Sequence, residues 1–121
     1  MIPKSVTHTR WADVPSEALT DTIQRRYINS SRVTIAQFAL SRGGVVHRHS
    51  HEQEQVTCVL SGVLKFITPD EEVIVRQGET ITLAPWVEHQ VDVLEDATVI
   101  DVFTPVRQDW LAKTDDYFRK G

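Results

Sequence analysis

The sequence has almost no cysteine and no long apolar run: of its 121 residues one is cysteine, Cys58. A single cysteine cannot form a disulfide within the chain, and its apolar neighbours Val59 and Leu60 favour a buried, unreactive thiol. The apolar stretches are far shorter than the roughly 20 residues that span a bilayer, and the first residues lack the apolar core of a secretory signal. We therefore expect a cytoplasmic protein with no membrane partner.

Positive charge is also sparse. Lys and Arg number 13 against 17 Asp and Glu, for a formal net charge of −4, and they form no basic run. This distribution does not attract a phosphate backbone, so nucleic acid is not expected as a partner. A composition of 40% hydrophobic and 25% charged residues is ordinary for a soluble domain. A chain of this length can build one core, and we predict a single domain over residues 1–121.

Most of the chain shows the pattern of β-strands. From about Thr20, apolar residues recur in short runs rich in Val, Ile, Thr and Phe and separated by Gly, Pro, Asp or Ser, which favours strands over helices. Short strands at this spacing predict an all-β sandwich or barrel. The predicted strands are 21–29, 32–40, 45–49, 54–60, 63–68, 72–76, 80–84, 90–94 and 98–104.

The two ends of the chain depart from this pattern. Residues 1–19 are too irregular to assign and are interpreted as an N-terminal arm. Near the other end, apolar residues recur every three or four positions behind Asp109, a residue suited to an N-cap. This spacing predicts a short helix over about 109–120 that packs on the outside of the barrel, with its repeating residues at Trp110, Leu111, Thr114, Tyr117 and Phe118.

Three of the five histidines lie within residues 47–51, and a fourth, His89, follows about 40 residues later. Side chains alternate along a strand, so His47, His49 and His51 are expected on one face, which Gln53 and Gln55 continue if the strand runs on. Such a face could hold a cation, and a distant ligand at His89 would link two strands.

The chemistry of these side chains suits a transition metal. Imidazole nitrogens and amide oxygens bind divalent Ni, Zn, Mn, Fe, Co or Cu without distinguishing among them, and the lack of a thiolate cluster argues against a structural zinc site. The alternative is that the histidines mark the solvated side of an antiparallel strand. We favour one divalent metal ion, because a solvated face more often carries Lys, Glu and Thr.

Two stretches of the sequence resemble the motifs of the cupin superfamily. The first motif has the spacing G, five residues, H, one residue, H, three or four residues, E, six residues, G. It is matched here by Gly43, His49, His51, Gln55 and Gly62, with glutamine in place of glutamate. The second stretch, 78–89, is similar to the second motif through Gly78, Pro85 and His89, while Trp86 and Val93 stand where Gly and Asn are frequent.

The resemblance implies a cupin double-stranded β-helix, that is, a jelly-roll barrel, with the metal motifs inside 43–93. It implies that His49, His51, Gln55 and His89 converge on one metal, although spacing alone left His47 and His49 open as the pair. His47 then lies near the mouth of the barrel or on the surface. Without an anionic protein ligand the metal would keep its full double charge, which favours Lewis-acid chemistry on anionic substrates.

The segments 49–62 and 100–110 resemble the KdgF-type cupins of pectin and alginate degradation. That resemblance implies a site of three histidines and a glutamine that opens the ring of an unsaturated uronate, a small-molecule substrate. It also implies a catalytic role for Asp101 and substrate contacts from Phe103 and Arg107, with Trp86 and His47 near the rim. From the residues alone, Asp101 could equally be an exposed edge residue, Arg107 a surface cation, and Trp86 part of the wall.

Other functions remain open, because the cupin fold carries many chemistries. The alternatives are an iron or copper dioxygenase, a lyase of small polar molecules such as cyanohydrins, and a non-catalytic sugar or small-ligand binding module that keeps the metal for stability. Small cupins commonly pair, so we also expect a homodimer, with strand 21–29 as a candidate for edge pairing.

Overall fold

The computed structural model describes residues 5–113 and residue 118. Eight antiparallel strands form most of this part of the chain, with a 3-10 turn at Trp11–Asp13 and one short helix, α1, at Gln108–Leu111. The strands are β1 Glu17–Thr20, β2 Ile23–Asn29, β3 Thr34–Leu40, β4 Val45–His49, β5 Glu54–Ile67, β6 Glu72–Arg76, β7 Thr80–Leu83 and β8 His89–Thr104.

The long strands β5 and β8 pair with each other and belong to both sides of the barrel. On one side, the second half of β8 pairs with β3, which continues through β2 to β1, and the first half of β5 pairs with β7. On the other side, the first half of β8 pairs with β4 and the second half of β5 with β6. Buried residues from both sides form one apolar cluster, as a jelly roll requires.

The bend that makes this arrangement possible lies at Gly62. The β5–β8 register shifts between Val59 and Val63. Gly62 has a φ of +89°, and a Cβ placed there would lie 2.2 Å from the carbonyl oxygen of Asp96 and 2.6 Å from Cα of Ala97. Glycine is therefore required both by the backbone conformation and by the close approach of β8.

The all-β jelly-roll prediction is confirmed, but several strand boundaries were wrong. The predicted turns at 61–62 and 95–96 are bulges within β5 and β8, so four predicted strands are two long ones. Glycine in a strand marks a bulge as readily as a turn, and the sequence pattern does not separate the two. Residues 17–19 of the predicted arm belong to β1, which pairs antiparallel with β2 at Ile23, Gln24 and Arg25.

The C-terminal helix begins earlier than predicted. Within the described residues α1 covers Gln108–Leu111, and the rest of the predicted helix lies at 114–117 and 119–121, outside them. Asp109 is not the N-cap: its carboxylate accepts from Arg107 Nε at 2.9 Å and Nη2 at 2.6 Å. None of the described helices is long and apolar enough to cross a membrane.

The helix is held to the barrel by Trp110, which is fully buried. Its ring makes edge contacts with Tyr27 and Phe103, at centroid distances of 5.1 Å each. The guanidinium carbon of Arg25 lies 4.2 Å from the Trp110 ring centroid, and Arg25 pairs with Glu17. A desolvated cation–π contact stabilises by about 2 kcal/mol. Trp110 therefore belongs to the core cluster and anchors α1 to the barrel, while Leu111 on the same helix is exposed.

We predict that Gly62→Ala destabilises the protein more than Gly78→Ala. Both residues have positive φ, so each alanine meets backbone strain of about 1–2 kcal/mol. Only the Gly62 variant also forces a clash, since a Cβ at Gly78 meets nothing within 4 Å. Thermal unfolding should show the larger fall for Gly62→Ala, by at least about 5 °C. Equal falls would contradict the close approach of the two strands.

Candidate metal centre

Four polar side chains from β4, the loop after it, β5 and β8 meet at one site in the barrel. His49 ends β4 and is paired with His89, which begins β8, while His51 follows β4 by two residues. Potential ligand nitrogens of the three histidines all lie within 4.8 Å of one another. Gln55, in β5, joins them with its side-chain oxygen Oε1 3.1 Å from His51 Nε2.

Hydrogen bonds to the backbone fix the ring orientation of all three histidines. In each ring Nδ1 lies beside a carbonyl oxygen, which can only accept, so Nδ1 carries the proton. Nε2 then carries the lone pair that can bind a metal, an arrangement typical of metal-ligating histidines. The three contacts are His49 to His47 O at 2.8 Å, His51 to Gln53 O at 3.1 Å and His89 to Val87 O at 2.8 Å.

The contact between His51 and Gln55 tests whether these residues fit a metal. The amide nitrogen of Gln55 donates to Thr57 Oγ1 at 3.0 Å, so Oε1 is the atom beside His51 Nε2. Because the proton of His51 is on Nδ1, both His51 Nε2 and Gln55 Oε1 are acceptors, and no hydrogen bond can form between them. Bonds of about 2.0–2.2 Å to a common cation place neighbouring ligands about 3 Å apart. The donor set therefore fits a divalent first-row ion.

Burial keeps the histidines neutral. Desolvation is the largest cause that lowers the pKa of His49 to about 3 and of His51 to about 4. The charge of neighbouring His89 and of Arg107 acts in the same direction. Burial also lowers the pKa of His89. Neutral imidazole is the form that binds metal, so the site is in its binding state at neutral pH.

Asp101 lies deep in the same cavity. It is opposite Thr57 on the neighbouring strand and is 8% exposed. Burial raises its pKa to about 6, while a hydrogen bond from Thr57 and the charge of Arg107 act in the opposite direction. Among the described residues, Asp101 Oδ1 has no hydrogen-bond partner. A buried carboxylate with one unpaired oxygen is costly, which is typical of a functional residue.

Arg107 and Phe103 line the cavity with Asp101. Arg107 is 1% exposed, its guanidinium carbon lies 4.6 Å from the Phe103 ring centroid, and Asp109 holds it by a bidentate ion pair. The cavity has a volume of about 440 Å³ including its open mouth. Away from the histidines its walls are largely apolar, formed by Phe38, Leu40, Leu64, Phe66, Trp110 and Phe118.

A family model described as a cupin domain matches residues 36–103, which contain the histidines, Gln55 and Asp101. The chain belongs to the cupin family. A search of proteins with curated functions found no match to this cupin.

Solved structures with the same fold include several cupins. KdgF from Halomonas sp. is 24% identical with a TM-score of 0.75, and the match covers 82% of this chain and 94% of that one. An RmlC-like cupin from Shewanella frigidimarina is 19% identical with a TM-score of 0.80, over 88% and 96% of the two chains. The polyketide cyclase RemF from Streptomyces resistomycificus is 22% identical with a TM-score of 0.71, over 84% and 80%. The predicted resemblance to KdgF is thus confirmed at the level of the fold.

Two residues predicted at the rim of the site, His47 and Trp86, are not among the residues that line the cavity. His47 is outside both the histidine group and the cavity lining, because the β4–β8 register shifts between Val46 and His49. Val46 and His49 therefore line the cavity, which simple alternation did not predict. Trp86 is 67% exposed and does not line the cavity; its backbone N–H donates to the carbonyl oxygen of His51 at 2.8 Å.

Sequence reasoning missed Thr57, which lines the cavity between Gln55 and Asp101. It follows Gln55 by two residues in β5 and therefore lies on the same face of the strand. That spacing was the one signal available. Gln53, which was expected to continue the histidine face, instead donates through Nε2 to the carbonyl oxygen of Val106 at 2.9 Å.

The histidine group makes a direct prediction about metal content. His51→Ala should lower metal affinity at least about tenfold, the smallest effect usual when even an outer partner of a ligand is lost. His47→Ala should bind metal as the unaltered chain does, because its side chain lies outside the group. Elemental analysis after dialysis against limiting Ni²⁺ or Zn²⁺ measures both. Equal losses in the two variants would contradict this assignment.

The metal-free protein should lose stability as the pH falls. A histidine whose folded pKa lies below its unfolded value of 6.5 contributes fully above that value, and the contribution is lost as pH falls towards about 3 or 4. Asp101 acts oppositely, because its raised pKa makes the folded state less stable as pH rises from 3.8 to about 6. The three histidines together should change the free energy of unfolding more than the single carboxyl group does, so the net effect of acidification is a loss of stability.

Urea unfolding in EDTA between about pH 7.5 and about pH 4.5 measures this dependence. The free energy of unfolding should fall with pH, and His49→Gln should reduce the slope. A protein that becomes more stable on acidification would contradict the buried neutral histidines.

Proposed function

We propose that this cupin is a divalent-metal-dependent enzyme that opens the ring of 4,5-unsaturated uronates from pectin or alginate breakdown. The observation that carries the proposal is Asp101, whose Oδ1 has no hydrogen-bond partner among the described residues and which shares a cavity with His49, Gln55 and His89. A carboxylate beside a set of neutral metal ligands can move a proton while the substrate oxygen is polarised. The similarity to KdgF supports the choice of substrate.

A bound divalent cation would supply Lewis-acid polarisation of a substrate oxygen. His49, His51, His89 and Gln55 would hold it, and all four are neutral. The site would therefore present nearly the whole double charge to the substrate. This favours a substrate whose oxygens gain negative charge during the reaction.

Asp101 would act as the base. It would accept the proton of the anomeric hydroxyl as the bond between C1 and the ring oxygen breaks, which leaves an aldehyde at C1 and an enolate at C5. Return of that same proton to C4 turns the enolate into a ketone, so no atom is gained or lost. A base is most effective when its pKa lies near the working pH, and burial raises the pKa of Asp101 to about 6.

Arg107 would favour an anionic substrate. Its charge lies in the cavity wall and acts to lower the pKa of His51. A positive charge that disfavours protonation of a histidine would attract the uronate carboxylate. Phe103 and Trp110 support the guanidinium, whose carbon lies 4.6 and 4.5 Å from their ring centroids.

The apolar part of the cavity favours a second candidate. A hydroxyl-rich sugar ring gains no hydrogen bonds from Phe38, Leu64 or Phe66, whereas a small substrate with an apolar group would be desolvated there. A dioxygenase or lyase acting on such a molecule is the alternative. Oxygen uptake with a candidate substrate identifies a dioxygenase, and loss of ultraviolet absorbance from an unsaturated uronate identifies the ring-opening enzyme.

The role of Asp101 can be separated from metal binding. Asp101→Asn should reduce uronate consumption at least about 100-fold, because a general base contributes roughly that much or more. The metal should stay bound, since the amide keeps an oxygen for the Thr57 hydroxyl. Asp92→Asn is the matched control, because Asp92 is also on β8 but pairs with Gln90 outside the cavity. Unchanged activity in Asp101→Asn would remove the proposed base.

We also propose that the protein is a homodimer. The described surface exposes several large apolar side chains, among them Ile28, Leu60, Ile74 and Leu94. Size-exclusion chromatography with light scattering should give twice the chain mass of 13.8 kDa. A mass of one chain would exclude the dimer.

A further inference from the structure

One hydroxyl group connects the metal-facing amide to the proposed base. Thr57 is 1% exposed and lies directly opposite Asp101 across the β5–β8 pair. Gln55 Nε2 donates to Thr57 Oγ1 at 3.0 Å, and the Thr57 side chain acts to lower the pKa of Asp101, the residue opposite it. Asp101 Oδ1 has no partner among the described residues.

The direction of this chain of hydrogen bonds follows from counting protons. A threonine hydroxyl has one proton to donate, and a carboxylate can only accept. Thr57 therefore gives its proton to Asp101 and must accept from its other neighbour. Gln55 can satisfy this only with its NH2 group turned towards Thr57. Its oxygen Oε1 is then turned towards His51 Nε2 and the metal position.

The orientation matters because glutamine has two unlike ends. The oxygen binds a divalent cation, whereas the NH2 group has no lone pair to offer and would repel it. In the reversed orientation, Thr57 would donate to Gln55, and its proton would no longer be available to the Asp101 carboxylate opposite it. The Gln55 oxygen would also face away from the metal position.

We propose that Thr57 is a positioning residue that fixes the amide of Gln55 with its oxygen towards the metal. This inference rests on the metal site of the proposed function but not on its substrate. It predicts that metal affinity depends on a residue that does not touch the metal.

Metal binding in three forms of the full chain tests the proposal: unaltered, Thr57→Val and Thr57→Ser. Valine has the shape of threonine without the hydroxyl, so Thr57→Val should weaken Co²⁺ binding about 10- to 100-fold, as loss of an outer partner does. Thr57→Ser keeps the hydroxyl and should bind within about threefold of the unaltered chain. The visible spectrum of bound Co²⁺ should change in the valine variant and not in the serine variant. Calorimetric titration with Co²⁺ gives the affinities.

A second background separates positioning from a general loss of structure. In Gln55→Glu both ends of the ligand side chain are oxygens, so there is no orientation left to fix. Adding Thr57→Val to this background should change Co²⁺ affinity less than about threefold, against tenfold or more with the native glutamine. A residue needed only for packing would cost the same affinity in both backgrounds.

The outcomes are distinct. Affinity that depends on the hydroxyl only when residue 55 is glutamine supports the proposal, even if no uronate is consumed and the proposed substrate is wrong. Equal affinities of the unaltered chain and Thr57→Val, or equal losses in both backgrounds, overturn it. A chain that binds no Co²⁺ overturns both the positioning role and the metal site.

Discussion

The candidate metal centre depends on three histidine rings, buried at His51 and His89 and half-buried at His49, that turn their lone pairs towards one another. Backbone carbonyls of residues 47, 53 and 87 hold each Nδ1 proton, and so direct Nε2 inwards. Gln55 adds a fourth acceptor, 3.1 Å from His51 Nε2. Converging acceptors that share no proton repel one another, and desolvation opposes their protonation. A divalent cation bound between these acceptors would relieve the repulsion among them.

The neutrality of the four candidate ligands also bears on Asp101, a buried carboxyl group whose Oδ1 has no hydrogen-bond partner among the described residues. Four neutral ligands would leave the charge of a bound cation uncompensated, and Asp101 is a buried carboxyl group in the same cavity that can balance it. Without metal its burial is a cost, as its raised pKa shows. Thr57 and Arg107 reduce that cost from two sides. The burial of Asp101 thus lowers the stability of the metal-free chain, which its proposed role as a base would explain.

Much of this arrangement could be predicted from the sequence. Strand patterning gave the all-β fold, since Val, Ile and Phe alternate over most of the chain, and the motif spacing selected the four side chains that the structure brings together. The bulges could not be predicted from the sequence pattern. Gly62 lies within β5 and does not end a strand, and the β4–β8 register shift after Val46 reverses the face on which His47 was expected. Thr57 and the pairing of Arg107 with Asp109 depend on contacts between neighbouring side chains, which spacing alone does not reveal.

A crystal structure of the protein with Ni²⁺, located by anomalous scattering, tests the central claim most directly. The account predicts one ion per chain, about 2.0–2.2 Å from Nε2 of His49, His51 and His89 and from Oε1 of Gln55. An ion held instead by His47, or by the Nε2 atoms with the amide nitrogen of Gln55 facing it, would contradict the account. The absence of any ion at the three histidines after saturation with Ni²⁺ would contradict it as well.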